Sequence, residues 1–431
     1  MRGSAVRVAW RALWLLVVLA LPVAAQDFPL DPPELPETAV QPGALPPLAE
    51  RPRIESVPLS REAPRPADPT PVDDRSFLIL RERLLPGTTR RLDWSSEQGY
   101  FDEVATPVLV THGIEPGPVL CLIGGIHGDE LNGIEVVRRV MRAIKPDELK
   151  GTLVGVPIVN MAGFARGSRY LPDRRDLNRF FPGTQRGSAA SRIAYSFFNE
   201  IARRCDSIVD FHTGSFERSN LPQVRGDMRI PAVLRFTRGF GETTVLHTPG
   251  AVGMLRRAAT DVGIPAVTFE LGAPIRLQPQ EIEHGVKAME TLLNQLGMVE
   301  RFRVRREPQP VYYDSRWVRA GAGGFLFADV QLGDQVAAGQ RLGKIVDPIT
   351  HEEHVLQSPF AGRVLGMALN QVVMPGFATF HIGGRTTEAK AVREAILRQP
   401  ENLNNLELED VDAAGEGAAA SRGGTAGDTT E

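Results

Sequence analysis

At 431 residues the chain exceeds what one small core requires, and two domains with tails are expected. A hydrophobic content of 42% is enough for a sizeable core. The formal net charge of -3, with Lys and Arg dispersed rather than clustered, gives no footprint for nucleic acid or another polyanion.

In chain order, the first element is a targeting segment. Arg2, Arg7 and Arg11 precede an apolar run from Leu13 to Leu21, and Val23-Ala24-Ala25 supplies small residues before Gln26. This is the pattern of a secretory signal cleaved after Ala25. The apolar run falls short of the roughly 20 residues a spanning helix needs. A periplasmic or secreted protein with no membrane span after cleavage is the expectation. From Gln26 onward prolines such as Pro32-Pro33 and Pro46-Pro47 read as an extended linker. Two cysteines, Cys121 and Cys205, stand in or beside apolar runs. Buried thiols are the plain reading, and an exported chain leaves a disulfide open.

Short apolar runs then alternate with amphipathic ones. Pro118–Ile123, Leu153–Val159, Ser207–Phe211, Thr244–Leu246 and Ala266–Leu271 predict buried strands. Leu131–Ile144, Ser188–Arg203, Gly253–Val262 and Pro279–Gln295 carry helical periodicity. That alternation predicts an α/β sheet with helices on both faces. From Val311 to Ile382 short strands and glycines predict an all-β domain, and the tail from Gln399 onward is too small and polar to fold.

The strand Val119–Ile123 ends in Gly124-Gly125 and then presents His127 and Glu130 before a helix. Ligands of open α/β sheets bind outside the carboxyl ends of strands, and imidazole with carboxylate suits zinc. His-x-x-Glu alone is weak: with eight histidines and 52 acidic residues, about one is expected by chance. His112-Gly113-Ile114-Glu115 is such a decoy, read as surface loop, and His351 and His354 read as a solvated turn. A third ligand is needed, and a second strand ends in His212, with Asp210 two residues earlier placed to support a ligand. A third strand ends in Glu270, either a structural ion-pair partner or a general base beside a metal-activated water. Between the ligand strands, residues 167–183 hold Arg169, Arg174, Arg175 and Arg179. They read as a solvated basic loop or as guanidinium groups for a substrate carboxylate and an oxyanion.

In order, Gly-Gly-x-His-Gly-x-Glu, Arg-Tyr, Asp-Leu-Asn-Arg-x-Phe-Pro-Gly, Asp-x-His-Thr-Gly and Glu-x-Gly resemble the succinylglutamate desuccinylase/aspartoacylase family of the zinc carboxypeptidase clan. The resemblance covers roughly residues 76 to 385. It implies one Zn2+ per chain on His127, Glu130 and His212, with Glu270 as base. It also implies Arg169 polarising the scissile carbonyl, with Asn178 and Arg179 on the substrate carboxylate; Arg175 is the alternative to Arg169. The fold implied is a mixed-sheet, zinc-carboxypeptidase-like catalytic domain with a C-terminal all-β domain like a barrel-sandwich. Residues 333–340 and 358–362 look like biotinyl and lipoyl carriers, but Lys344, in an apolar strand-like run, is no carrier lysine. Tyr312, Tyr313 and Trp317 are candidates for selecting the substrate.

The organisation expected is therefore signal peptide 1–25, linker 26–75, zinc hydrolase domain 76–305, β domain 306–388 and a largely disordered tail 389–431. The function expected is hydrolysis of an amide or ester bond in a small carboxylate-bearing substrate, an N-acyl amino acid foremost. The rival is a periplasmic zinc carboxypeptidase acting on cell-wall peptides.

Overall fold

A computed structural model describes residues 75–95, 105–300, 311–369 and 371–384. The expected leader, the expected linker to residue 74 and the expected tail from 389 lie outside the described residues. Strands β1 (Phe77–Ile79) and β2 (Glu82–Leu84) form a hairpin, followed by β3 (Thr88–Trp94), β4 (Thr106–His112) and β5 (Glu115–Ile123). Next come α1 (Leu131–Ala143), β6 (Lys150–Val156), α2 (Met161–Ala165), α3 (Ala189–Glu200) and β7 (Ser207–His212). The core of the chain is completed by β8 (Arg218–Gly226), α4 (Pro231–Thr237), β9 (Thr244–His247), α5 (Leu255–Asp261), β10 (Ala266–Gly272) and α6 (Pro279–Gln295).

β5, β6, β7 and β10 are mutually parallel in the order β10-β7-β5-β6, β3 and β4 run antiparallel to their neighbours, and β8 runs antiparallel to β10 but parallel to β9. The sheet is mixed, as expected. Its parallel strands are apolar on both faces because both are covered. On β5, Cys121 and Ile123 enter the core shared with Phe197, Phe198 and Leu255 of α3 and α5. Leu120 and Leu122 enter the opposite core, with Val136, Val137 and Val140 of α1 and Leu292 of α6. Helix starts follow local chemistry. Ser188 caps α3 by accepting from the Ser191 amide, and α4 and α6 open with proline, whose fixed φ suits a first turn.

One expectation fails here. His112 is not in a surface loop: it closes β4, is buried, and its ring nitrogens bond Thr152 Oγ1 at 2.8 Å and the Arg75 carbonyl at 2.7 Å. Gly113, Pro116 and Pro118 spell a turn in the sequence and mask the strand that ends at His112. His112 is a satisfied core histidine, and Glu115 is exposed at the start of β5.

The rest of the described chain is strand: β11 (Val311–Tyr312), β12 (Asp314–Arg319), β13 (Gly324–Ala328), β14 (Gln335–Val336), β15 (Arg341–Val346), β16 (Glu353–Gln357), β17 (Gly362–Ala368), β18 (Val372–Val373) and β19 (Ala378–Gly384). β16, β15, β13 and β18 make a four-stranded sheet. β12, β19 and β17 instead continue the main sheet, through antiparallel pairing of β17 with β8, to thirteen strands. The two layers enclose Leu326, Leu342, Ile345, Val364, Phe380 and Ile382. Among the described residues they form no closed barrel. Lys344 lies within β15, paired with Glu353, not at a hairpin tip. Cys121 and Cys205 are joined as a disulfide that ties β5 to the turn preceding β7. Among the described residues no helix is long and apolar enough to cross a membrane.

Candidate metal centre

His127 and Glu130 sit in the loop from β5 to α1, and His212 closes β7, so adjacent parallel strands deliver all three at their carboxyl ends. The loop needs glycine. A Cβ on Gly128 would meet the Gly163 carbonyl carbon and the Phe164 nitrogen at 2.1 Å, so any side chain there would push α2 off the site.

His127, Glu130 and His212 are buried and offer ligand atoms within 4.8 Å of one another. His127 Nδ1 is 2.9 Å from Glu130 Oε1, His212 Nδ1 is 2.9 Å from Oε2, and the two Nδ1 atoms are 3.1 Å apart. Behind the rings, His127 Nε2 meets Asp176 Oδ1 and His212 Nε2 meets Asp210 Oδ2, both at 2.9 Å. A carboxylate behind each Nε2 places the proton there and turns the Nδ1 lone pair inward. Two lone pairs and a carboxylate then converge with too few protons to bond one another, and a cation at their centre resolves the conflict. The residues present fit a zinc ion of the three-ligand, open-position type.

The electrostatics agree. Burial works against its charge, yet His127 and His212 hold the Glu130 carboxyl well below the usual carboxylate range. Burial likewise opposes the His212 imidazolium, but Asp210 and Glu130 raise its pKa well above the ordinary histidine value. The pocket is built to hold positive charge.

Arg169 is buried beside the triad. Its Nη1 donates to Glu130 Oε1 at 2.9 Å and lies 3.1 Å from His127 Nδ1, while Nη2 donates to Asp176 Oδ2 at 3.0 Å. The Phe216 ring lies 5.7 Å from its guanidinium carbon. Arg175 is half-exposed and paired with Asp173, away from this cluster. Asn178, buried, brings Nδ2 to 3.4 Å from His212 Nε2, and its Oδ1 accepts from the Leu255 amide at 2.8 Å, starting α5. Arg179 follows, half-buried, with Nη1 donating to the Asn178 carbonyl.

Glu270 lies at the carboxyl end of β10, in register with His212 on β7. Asn220 Nδ2 donates to its Oε2 at 3.0 Å, and Arg225 Nη1 is 3.3 Å from Oε1. Sequence reasoning missed Asn220, Arg225 and the role of Asp176. The last was legible as part of the Asp-Leu-Asn-Arg run; the others lie on a strand that polar residues and Pro222 concealed. Of the selection candidates, Tyr312 is buried among Leu246 and Leu365, Tyr313 lies beside His247, and Trp317 stacks on His381.

Residues 116–296 match the model of the succinylglutamate desuccinylase/aspartoacylase catalytic domain. The chain is 28% identical over 270 residues to the N-alpha-acetyl-L-2,4-diaminobutyric acid deacetylase of Halomonas elongata, covering 60% of this chain and 78% of that protein. It is 28% identical over 206 residues to a succinylglutamate desuccinylase of Ectopseudomonas mendocina, covering 44% of this chain and 58% of that one. Its fold is shared with a succinylglutamate desuccinylase/aspartoacylase from Rhodobacter sphaeroides, at TM-score 0.62 and 23% identity over 70% of this chain and 96% of that one. It is shared also with the product-bound ectoine utilization protein EutE from Ruegeria pomeroyi, at TM-score 0.61 and 23% identity over 68% and 94% of the two chains. Family model and fold agree: residues 116–296 are similar to the succinylglutamate desuccinylase/aspartoacylase catalytic domain, and the fold of the chain is that of the solved structures of this kind.

Proposed function

We propose that this chain is an exported, zinc-dependent hydrolase that removes the acyl group from an N-acyl amino acid. The observation that carries the reading is the inward convergence of His127 Nδ1, His212 Nδ1 and Glu130, each imidazole backed by a carboxylate. When bound there, zinc supplies Lewis-acid polarisation and a water activated at neutral pH. The protein's own groups do the rest. Glu270 accepts the proton of the attacking water and returns it to the leaving nitrogen, so that amide plus water become a carboxylate and an amine. Arg169, desolvated beside Glu130, faces the negative charge that grows on the carbonyl oxygen. Asn178 and Arg179 hold the amino acid's carboxylate.

The similarity to a deacetylase and to desuccinylases of acylated amino acids favours this reading over a carboxypeptidase that trims cell-wall peptides. Export, to the periplasm or beyond, is supported by the leader pattern and by the Cys121–Cys205 disulfide, a bond of oxidising compartments.

The test is mass-spectrometric turnover by the zinc-loaded protein of acetyl-diaminobutyrate, succinylglutamate, acetylaspartate and cell-wall peptides. Free acyl acid plus amino acid is the expected product, with Glu270→Gln retaining zinc and losing roughly a hundredfold or more of turnover. Loss of C-terminal residues from peptides alone would move the assignment to carboxypeptidase. Undiminished turnover by Glu270→Gln would remove Glu270 as the base.

A further inference from the structure

Glu270 is held from the side of the sheet that leads into the C-terminal strands. Both residues on its carboxylate, Asn220 and Arg225, stand on β8, which pairs with β10 along one edge and with β17 along the other. In those pairings the Asn220 Cα registers with Gly272 in β10 and with Gly366 in β17. A Cβ built on Gly366 would lie 2.6 Å from Asn220 Oδ1 and 3.4 Å from both the Trp317 ring and His381 Cβ. The bare backbone at 366 therefore leaves the space that the Asn220 amide fills. Trp317 closes that space, stacked on the buried His381 at a ring separation of 4.6 Å and an angle of 7°. Among the described residues Asn220 Oδ1 has no hydrogen-bond partner, so the amide is oriented by Glu270 on one side and by packing on the other.

We infer that the C-terminal strands position the general base: Asn220 is a positioning residue for Glu270, and Gly366 with Trp317 fixes Asn220. The inference rests on the proposed role of Glu270. A glutamate at a strand end has three side-chain torsions, and proton transfer requires one oxygen within about 3 Å of the water. The Asn220 donor on one carboxylate oxygen and the Arg225 guanidinium charge beside the other restrict that freedom, and a lone pair remains for the proton. Gly366 makes no bond to the site. Its contribution passes through the Asn220 amide, and it comes from the part of the chain that carries none of the metal ligands.

The experiment uses the zinc-loaded full chain, with acetyl-diaminobutyrate, succinylglutamate and acetylaspartate as probes, and compares Asn220→Ala, Gly366→Ala and the double variant. Asn220→Ala is expected to lower kcat about 10- to 100-fold, the cost of one misplaced charge-assisted bond, with KM, zinc stoichiometry and Tm near those of the parent. Gly366→Ala is expected to lower kcat by about tenfold in the parent and to have no further effect once Asn220 is alanine, because its effect acts through that amide. An unchanged kcat in Asn220→Ala, a parallel loss of KM, zinc and Tm, or additive losses in the double variant would each overturn the inference. If Glu270→Gln keeps its turnover, or no probe is cleaved, the proposed function fails first and the brace has no base to hold.

Discussion

Removing the Cys121–Cys205 bond offers a direct measure of how much the cross-link holds the site together. The bond closes a sequence separation of 84 residues, a loop that contains His127, Glu130, Arg169, Asn178 and Arg179. Chain-entropy arithmetic for a loop of that length gives about 4.5 kcal/mol of stabilisation through the unfolded state. A folded core of roughly 300 residues melts with an entropy on the order of 0.6 kcal/mol/K, so the loss corresponds to about 7 °C in Tm. Alanine is the right replacement at both positions, because each sulfur is buried and alanine brings no polar group into the core. Calorimetry of the oxidised parent, the parent folded under reductant and Cys121→Ala/Cys205→Ala reads the effect. Thiol titration of the denatured parent shows whether the bond exists. Reduced parent and double variant should melt together, several degrees below the oxidised protein. Two reactive thiols in the denatured parent, or coincident melting of all three, would refute the reasoning.

Burial, with Arg225 adding to it, holds the His381 pKa well below the ordinary value. The folded state thus keeps this imidazole neutral while the unfolded chain protonates near pH 6.5. Its contribution is complete above that pH and is lost as the pH falls, by about 1.4 kcal/mol between pH 7.5 and 5.5. Urea unfolding across that range should show a shallower slope in His381→Asn, and an identical slope would remove His381 as its source. Arg169→Ala should lower kcat roughly 10²- to 10³-fold, whereas Arg175→Ala, half-exposed and paired with Asp173, should stay within about twofold. Comparable losses from both would mean that the loop rearranges around substrate.

The strands and helices around the triad were legible because their signals are local. Val119–Ile123 is apolar at every position, as a strand covered on both faces must be, and the helix expected over Pro279–Gln295 is observed over those residues. β8 was not legible. Arg218, Ser219, Asn220, Gln223 and Arg225 look like a surface loop, and they are polar because they line the base and the junction with β17. His112 misled for the opposite reason: its neighbours Gly113 and Pro116 spell a turn, while the contact that buries it, Thr152, is forty residues away. The choice between Arg169 and Arg175 likewise depended on how a loop folds back, which spacing does not encode. The disulfide and the β17–β8 pairing join residues 84 and about 150 positions apart, beyond the reach of any periodicity.

The pairing of β17 with β8 also bears on how the chain can be cut, shuffled or expressed in pieces. In sequence the C-terminal strands look like a detachable appendage, with a natural seam near residue 305. In hydrogen bonding there is no seam. Dividing the protein there would strip β17 from β8 at Ser219 and Asn220 and leave an open, unprotected edge on the strand beside the base. Such edges recruit other edges, so the isolated N-terminal half is a template for aggregation rather than a minimal enzyme. Exchanging C-terminal modules between relatives would succeed only where the incoming strand brings glycine opposite Asn220.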